Sequence, residues 1–467
     1  MAASRAWQSV AIRLAVALAF ADASIVVLAL PQIVARLHVS IAHVTWVIMA
    51  YNLALIGGAA MAIPFARRLA SASALVAGLV LFGLASIGCG ICDSMTALVP
   101  LRCVQGLGGG LLLSASLPLL MHGAGSGDAA LTRWSTTAAI GMAAGPALGG
   151  VLTQAFSWRA IFLAQAPVAA AAVVLVLVAR SRPAPVLDAR DAHPYRLSIM
   201  TANAGLTLVS AGLIGALFLV VLLLISVWRL APIAAAAVVT LIPLAAVVAA
   251  RAGRGWPSHG LAALGATLIG LGLFGMSLVT HRELAWVIVT LALVGAGIGF
   301  AVPSLTTIAL WGTGPPAARA AVTAAARDAG IVLGLLALTP LFVHQLHRAP
   351  TRALATASAA VLAAPISASV EASLVPRLLA AYRRTPQGML PDFAPAFARA
   401  SLHAPRRERV VLIGLHRRLD AIVDRAVTSA FRLPLRYSAI FALAVLPLLG
   451  LHLMGARRLR AATASTE

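Results

Sequence analysis

The chain has 467 residues, 61% of them hydrophobic and 10% charged, with mean hydropathy +0.97. Soluble domains run near 45–50% apolar and about 25% charged, so a soluble globular protein is excluded. Thirty-five Arg and no Lys stand against 13 acidic residues, a net charge of +22. They fall mostly between apolar runs and read as topology signals, not as a nucleic-acid surface.

Taken in chain order, the apolar runs predict twelve membrane helices. Their limits are 11–31, 42–63, 73–92, 96–120, 131–156 and 159–179, then 199–225, 231–250, 259–280, 285–311, 322–345 and 434–455. Runs of this kind reach the roughly 20 residues a helix needs to cross a bilayer. They are continuous, not alternating, which favours helices over barrel strands. The first run follows Arg5 and Arg13, contains Asp22 and shows no small-residue cleavage site, so an uncleaved helix is expected. Residues 1–180 are expected to form one six-helix bundle, 181–197 a cytoplasmic linker, and 198–460 a second bundle. With both termini cytoplasmic, fifteen Arg lie on that side, against Arg36, Arg159, Arg229 and Arg282 in the short outer loops.

Residues 346–433, between helices 11 and 12, break the rhythm. This extracytoplasmic insert carries 13 Arg, 5 acidic residues and 7 Pro. Within it, Val411, Leu412, Leu415, Leu419, Ile422 and Val423 fall at helical spacing. An amphipathic helix over 408–432, lying on the bundle or at the membrane surface, is expected.

Polar residues inside the apolar runs are the functional candidates. A carboxylate near the bilayer midplane is costly and marks a working site, so Asp22 is the candidate proton carrier. Arg102 does not deprotonate and would act electrostatically on Asp22. Gln105 lies one turn along the same face. Tyr51, Asn52, Gln165 and Asn203 are candidates for a substrate cavity. Arg327 and Asp328 are neighbours, do not share a helix face, and are expected to find separate partners across the bundle interface as part of a gate. Gly141, Gly145 and Gly149 recur every fourth residue, making a bare stripe extended by Gly150 and bent at Pro146. Such a stripe admits a close helix and suits a contact between moving parts.

Other signals point to nothing chemical. Cys89-x-x-Cys92 and His344-x-x-His347 lack further ligands, so no metal or other cofactor is expected. No phosphate-binding loop of the form G-x-x-x-x-G-K-[ST] occurs. No nucleophile, base and metal ligands cluster within the spans, so no catalytic residue is assigned and an enzyme is not expected.

Several of these stretches, in this order, resemble the drug:proton antiporter branch of the major facilitator superfamily. Asp22 to Pro31 is similar to that branch's first-helix motif, and Trp46 and Tyr51 to its second helix. Leu98 to Gly110 resembles its fourth-helix Arg-Gln-Gly motif. Gly141 to Gly150 resembles its antiporter motif, Trp158 to Pro167 its entry to helix six, and Arg327 to Gly334 its penultimate helix. The resemblance implies an all-α polytopic membrane protein with the major facilitator fold, two six-helix bundles rocking about a midplane site. It implies proton-coupled efflux of a lipophilic small molecule, cationic or neutral, by a monomer in a bacterial inner membrane, with proton exchange at Asp22 tuned by Arg102 and Gln105. Two departures stand out. The linker has no room for the branch's two extra helices, and the loop after helix two has Arg67 where the family has an acid and Ala70 where it has Gly. A reversed latch, Arg67 or Arg68 against Asp328, would fit that change. A metabolite exporter or importer of the same fold, or a sensor that has lost transport, are the alternatives.

Overall fold

The computed structural model describes residues 2–64, 72–123, 127–179, 196–311, 315–384 and 393–450. Among these, twelve segments are long and apolar enough to cross a membrane. The first six are Ala6–Leu37 (α1), Ile41–Ala62 (α2), Ala72–Ile91 (α3), Met95–Met121 (α4), Ala129–Ala155 (α5) and Ala160–Val178 (α6). The next five are Ile199–Val227 (α7), Pro232–Ala252 (α8), Ser258–Met276 (α9), Leu284–Leu310 (α10) and Pro316–Arg348 (α11), and the last is Arg406–Gly450. The first eleven fall within a few residues of the sequence expectation. A chain in hydrocarbon must satisfy its backbone internally, so a bilayer-length apolar run has only the helix available.

Two helices change pitch. α1 tightens into a 3-10 turn at Val26–Ala29 before resuming at Leu30–Leu37. Pro31 lies at the start of that second piece and has no N–H to donate back to residue 27, which leaves the preceding turn free to tighten. α7 closes in a π turn at Leu223–Val227.

The packing repeats in two groups of six. In the first, α1 packs on α5 and α6, α2 on α4, and α3 on α4 and α6. In the second, α7 packs on α10 and α11, α8 on α10, and α9 on α10. Glycine sets both groups. Gly106 and Gly110 of α4 lie on the backbone of α2 at Tyr51 and Leu55, and Gly295 and Gly299 of α10 lie on α8 at Ile242 and Ala246. Gly141, Gly145 and Gly149 of α5 lie against the α1 backbone at Ala17, Ala21 and Ile25. Gly330 and Gly334 of α11 do the same against α7 at Thr207 and Ala211. A Cβ at any of these positions would strike a carbonyl oxygen of the facing helix. The α5 stripe therefore closes the first bundle on itself. The contact between the two groups falls to Gly150, turned about 100° from Gly149, where a Cβ would strike Ala236 of α8. Elsewhere the groups meet through α5 on α10 and α11 on α2 and α4.

The insert folds as a separate helical unit. α11 continues as one helix from Pro316 to Leu362. It is followed by α12 (Ala368–Arg384), α13 (Ala394–His403) and α14 (Arg406–Ala430), then α15 (Arg432–Leu443), where the chain re-enters the bundle and packs on α7 and α9. The apolar stripe expected over 408–432 is present in α14. Its apolar face is buried in a core that the insert builds for itself, while α14 also packs on α11 and on the π turn that closes α7. Leu412, Leu415, Leu419 and Ile422 are buried there with Leu374 of α12 and Phe397 and Ala400 of α13. Glu408 ties the start of α14 to the loop before α12, accepting from the Ser367 amide (3.2 Å) and hydroxyl (3.0 Å).

Candidate functional site

The i, i+3 spacing of Arg102 and Gln105 puts both side chains on the face of α4 that meets α1. There Arg102 Nη1 donates to Asp22 Oδ2 at 2.6 Å and to Gln105 Oε1 at 2.6 Å, and Nε donates to the Val47 carbonyl at 2.8 Å. Gln105 Nε2 lies 2.8 Å from Ser86 Oγ, 3.1 Å from Gln165 Oε1 and 3.3 Å from Asp22 Oδ1. Asp22, Arg102 and Gln105 are all fully buried. The guanidinium sits between the rings of Tyr51 (4.5 Å) and Phe162 (5.5 Å). Charges this deep persist only when paired and hydrogen-bonded, and here five residues from α1, α3, α4 and α6 close one network. Arg102 is a fixed cation, so Asp22 is the member able to exchange a proton. Ser86 was not legible as a member: one Ser in an apolar helix carries no pattern.

Tyr51 and Asn52 lie beside this network inside the first bundle. The Tyr51 hydroxyl donates to the Ala19 carbonyl at 3.0 Å, and Asn52 Nδ2 to its own helix at Ile48, 2.7 Å away. Gln165 belongs to the network itself. Asn203, half-buried on α7, donates to Ile199 of its own helix at 3.0 Å. None of the four lines the two large cavities between the bundles.

Arg327 and Asp328 do not take separate partners. Arg327 donates through Nε (2.9 Å) and through Nη2 to Asp328 Oδ1. Both are buried, and an isolated charge at that depth costs more than the bent geometry of an adjacent pair. The guanidinium also lies 4.0 Å over the ring of Phe20, which packs edge-on against Trp134. Phe20 is two residues from Asp22, so α1 carries one ion pair and touches the other. Arg67 and Arg68, the other half of the expected latch, lie outside the described residues, as does most of the linker 181–197.

The first cavity, about 760 Å³, lies at the centre of the interface. Its walls come from Ala23 and Ser24 of α1, Met142 and Pro146 of α5, the α7 stretch 210–220, and parts of α8, α9, α10 and α11. Pro146 of the glycine stripe thus reaches the cavity while its glycines face away. Its lining is almost wholly apolar, the usual character of a small-molecule site. Ser24 pins α1 to α5 at this wall, donating to the Met142 carbonyl at 2.9 Å. The second cavity, about 1270 Å³, lies between α5, α8 and α10 at the end of the molecule that bears the N-terminus. Ser135 and Thr307 span part of it, with hydroxyls 3.3 Å apart. At the insert end, the same helices are shut together at Gly150 and Ala236.

Comparisons with known proteins bear on what such an arrangement is. The family model of the Major Facilitator Superfamily matches residues 13–360. A stretch of 197 residues is 32% identical to an uncharacterised MFS-type transporter of Mycobacterium tuberculosis, covering 41% of this chain and 33% of that one. A stretch of 177 residues is 34% identical to the tetracenomycin C resistance and export protein of Streptomyces glaucescens, covering 37% and 33%. A stretch of 175 residues is 30% identical to the multidrug export protein EmrB of Escherichia coli, covering 36% and 33%. These matches span about a third of the relatives' own length. The fold alone is shared with a crystal structure of a bacterial homologue of the human lysosomal transporter Spinster, inward-facing and unoccupied. That likeness has a TM-score of 0.53 at 14% identity and covers 95% of this chain and 98% of the other. The family match runs unbroken from α1 to the helix that carries the insert: the chain belongs to the Major Facilitator Superfamily and is an integral membrane protein.

Proposed function

We propose that this protein is a proton-coupled exporter of lipophilic small molecules, working by alternating access in a bacterial cytoplasmic membrane with both termini in the cytoplasm. The observation that carries this reading is the buried Asp22–Arg102–Gln105 network standing beside an apolar cavity between two like-packed bundles. Asp22 takes and gives the proton. Arg102 is its fixed counter-ion, and Gln105 links the pair to Ser86 and Gln165. The cavity at the terminus-bearing end is the entry from the cytoplasm, and the Gly150–Ala236 contact is the closure that must part for release. The relatives named for export support the direction. The reading needs no cofactor, no catalytic residue and no second copy of the chain.

The test is substrate-induced proton movement in sealed proteoliposomes under an imposed pH gradient, with a panel of lipophilic compounds. The native protein is compared with Asp22→Asn and with the neutral pair Asp22→Asn/Arg102→Gln, which leaves no buried charge unmatched. Proton flux triggered by a compound and lost in both variants supports antiport. Undiminished coupled flux in a folded Asp22→Asn protein removes Asp22 from the mechanism. Compound movement without proton movement points to an uncoupled transporter of the same fold.

A further inference from the structure

Of the residues lining the central cavity, Arg327 alone is charged; Ser24 and Ser210 are polar and the rest are apolar. Asp328 does not line this cavity. It occupies Nε and Nη2 of the guanidinium and leaves Nη1 without a hydrogen-bond partner, on a residue only 3% exposed. The pair is neutral as a whole; Arg327 is the member that lines the cavity, and Asp328 Oδ2, off that wall, is likewise unpartnered. Arg327 also borders a smaller pocket with Thr306 and Thr323, and the Thr323 hydroxyl is likewise unpartnered.

An unmatched guanidinium N–H in an apolar wall carries a desolvation cost that a bound acceptor would remove. A carboxylate would do so through a short, charge-assisted hydrogen bond, the strongest such contact open to Arg. An ammonium group placed there would meet a like charge in a medium of low dielectric, and among the lining side chains only Ser24 and Ser210 could accept its protons. Asp22, the other carboxylate at this depth, is already satisfied by Arg102 and lines no part of the cavity.

We infer that the central cavity selects lipophilic anions. A compact anionic group, in the simplest case a carboxylate, sits on the free edge of Arg327, and its apolar body lies against Leu213, Leu217, Leu291 and Val294. This replaces the cationic or neutral compound expected from the sequence. It rests on the transporter reading for its biological sense, yet the binding step itself needs no proton coupling.

The experiment is equilibrium dialysis of naphthalene-2-carboxylate, naphthalene-2-carboxamide and 2-naphthylmethylammonium against the full chain in nanodiscs, with empty nanodiscs subtracted. The carboxylate should bind about tenfold or more tighter than the amide, the range a charge-assisted hydrogen bond supplies, and the ammonium should bind more weakly than either. Arg327→Gln should erase the preference for the carboxylate over the amide, while Arg327→Lys should keep part of it. Arg327→Gln strands Asp328, so Arg327→Gln/Asp328→Asn is measured beside it as the charge-free control. The inference falls if the ammonium binds as tightly as the carboxylate. It falls equally if the charge-free variant keeps the carboxylate preference, or if none of the three probes binds. Failure of proton flux in proteoliposomes, with the carboxylate preference intact, would count against the antiport reading alone.

Discussion

Replacing Asp22 by Asn should destabilise the first bundle far more than its single-atom change implies. The pair it breaks lies at 2.6 Å with both side chains fully buried. At an effective dielectric near 20, the attraction at that distance is about 6 kcal/mol. The Arg102 guanidinium stays in place afterwards, held by Val47 and Gln105, so its desolvation cost is not recovered. The Asn carbonyl can still accept one hydrogen bond, worth about 1 kcal/mol net. Breaking buried pairs typically costs about 3–5 kcal/mol, and the lower end is expected here. Arg102→Gln should cost a similar amount. The double variant strands no charge and should lose less than the two singles together, with a coupling energy of about 3 kcal/mol. Reversible unfolding in mixed micelles titrated with dodecyl sulfate measures all three. Losses that add to within about 0.5 kcal/mol, or a single Asp22→Asn as stable as the native protein, would refute the argument that the pair holds the bundle.

Gly150→Val should leave thermal stability near native and abolish transport, because its side chain meets Ala236 across the bundle interface; single-turnover efflux with a melting curve checks it. Gly145→Val should do the reverse, destabilising the protein by about 1–3 kcal/mol through overpacking against Ala21 and Ser24 within the bundle. Trp134→Phe removes the buried indole hydrogen bond to Ser116 Oγ (2.8 Å) and should cost about 0.5–1.5 kcal/mol, because the Ser116 hydroxyl still donates to the Leu113 carbonyl; the same micelle titration reads it. Phe397→Ala should cost the insert about 3–5 kcal/mol while the bundle melts unchanged, because the two cores share no residue; limited proteolysis at the insert reports it.

The helices were legible because apolar runs of bilayer length have one structural outcome. The Asp22, Arg102 and Gln105 cluster was legible for a related reason: polar groups in lipid must find one another, and the spacing 102, 105 leaves them one face. Direction was harder to read. A glycine stripe announces a close neighbour but not which helix it is, and the α5 glycines chose α1 of their own bundle. Gln165 reads equally well as cavity wall or network member until the register of α6 is known. The bond between Arg327 and Asp328 contradicts what helix-face geometry alone allows, because burial outweighs it. In the insert, only α14 showed a strong periodic pattern. α12 and α13 are short and mix Ala, Ser and Arg with their few large apolar residues, so they do not announce the core they complete. A partner's apolar face becomes visible only once the chain has turned back on it.

The continuity of α11 sets the leverage of the whole molecule. One helix of 47 residues runs from the bundle interface to the heart of the insert, about 70 Å at 1.5 Å per residue. Pro340 and Pro350 remove two backbone donors along it without ending it. Its pivot, Arg327 and Asp328, lies near one end, about 50 Å from Leu362. A 10° tilt about that pivot, too small to open more than a water's width at the cavity, would swing the tip by about 9 Å. If the bundles rock as proposed, the insert is a needle on a dial: its position would read out, greatly magnified, which way they lean, and anything that gripped it would brake the lean itself.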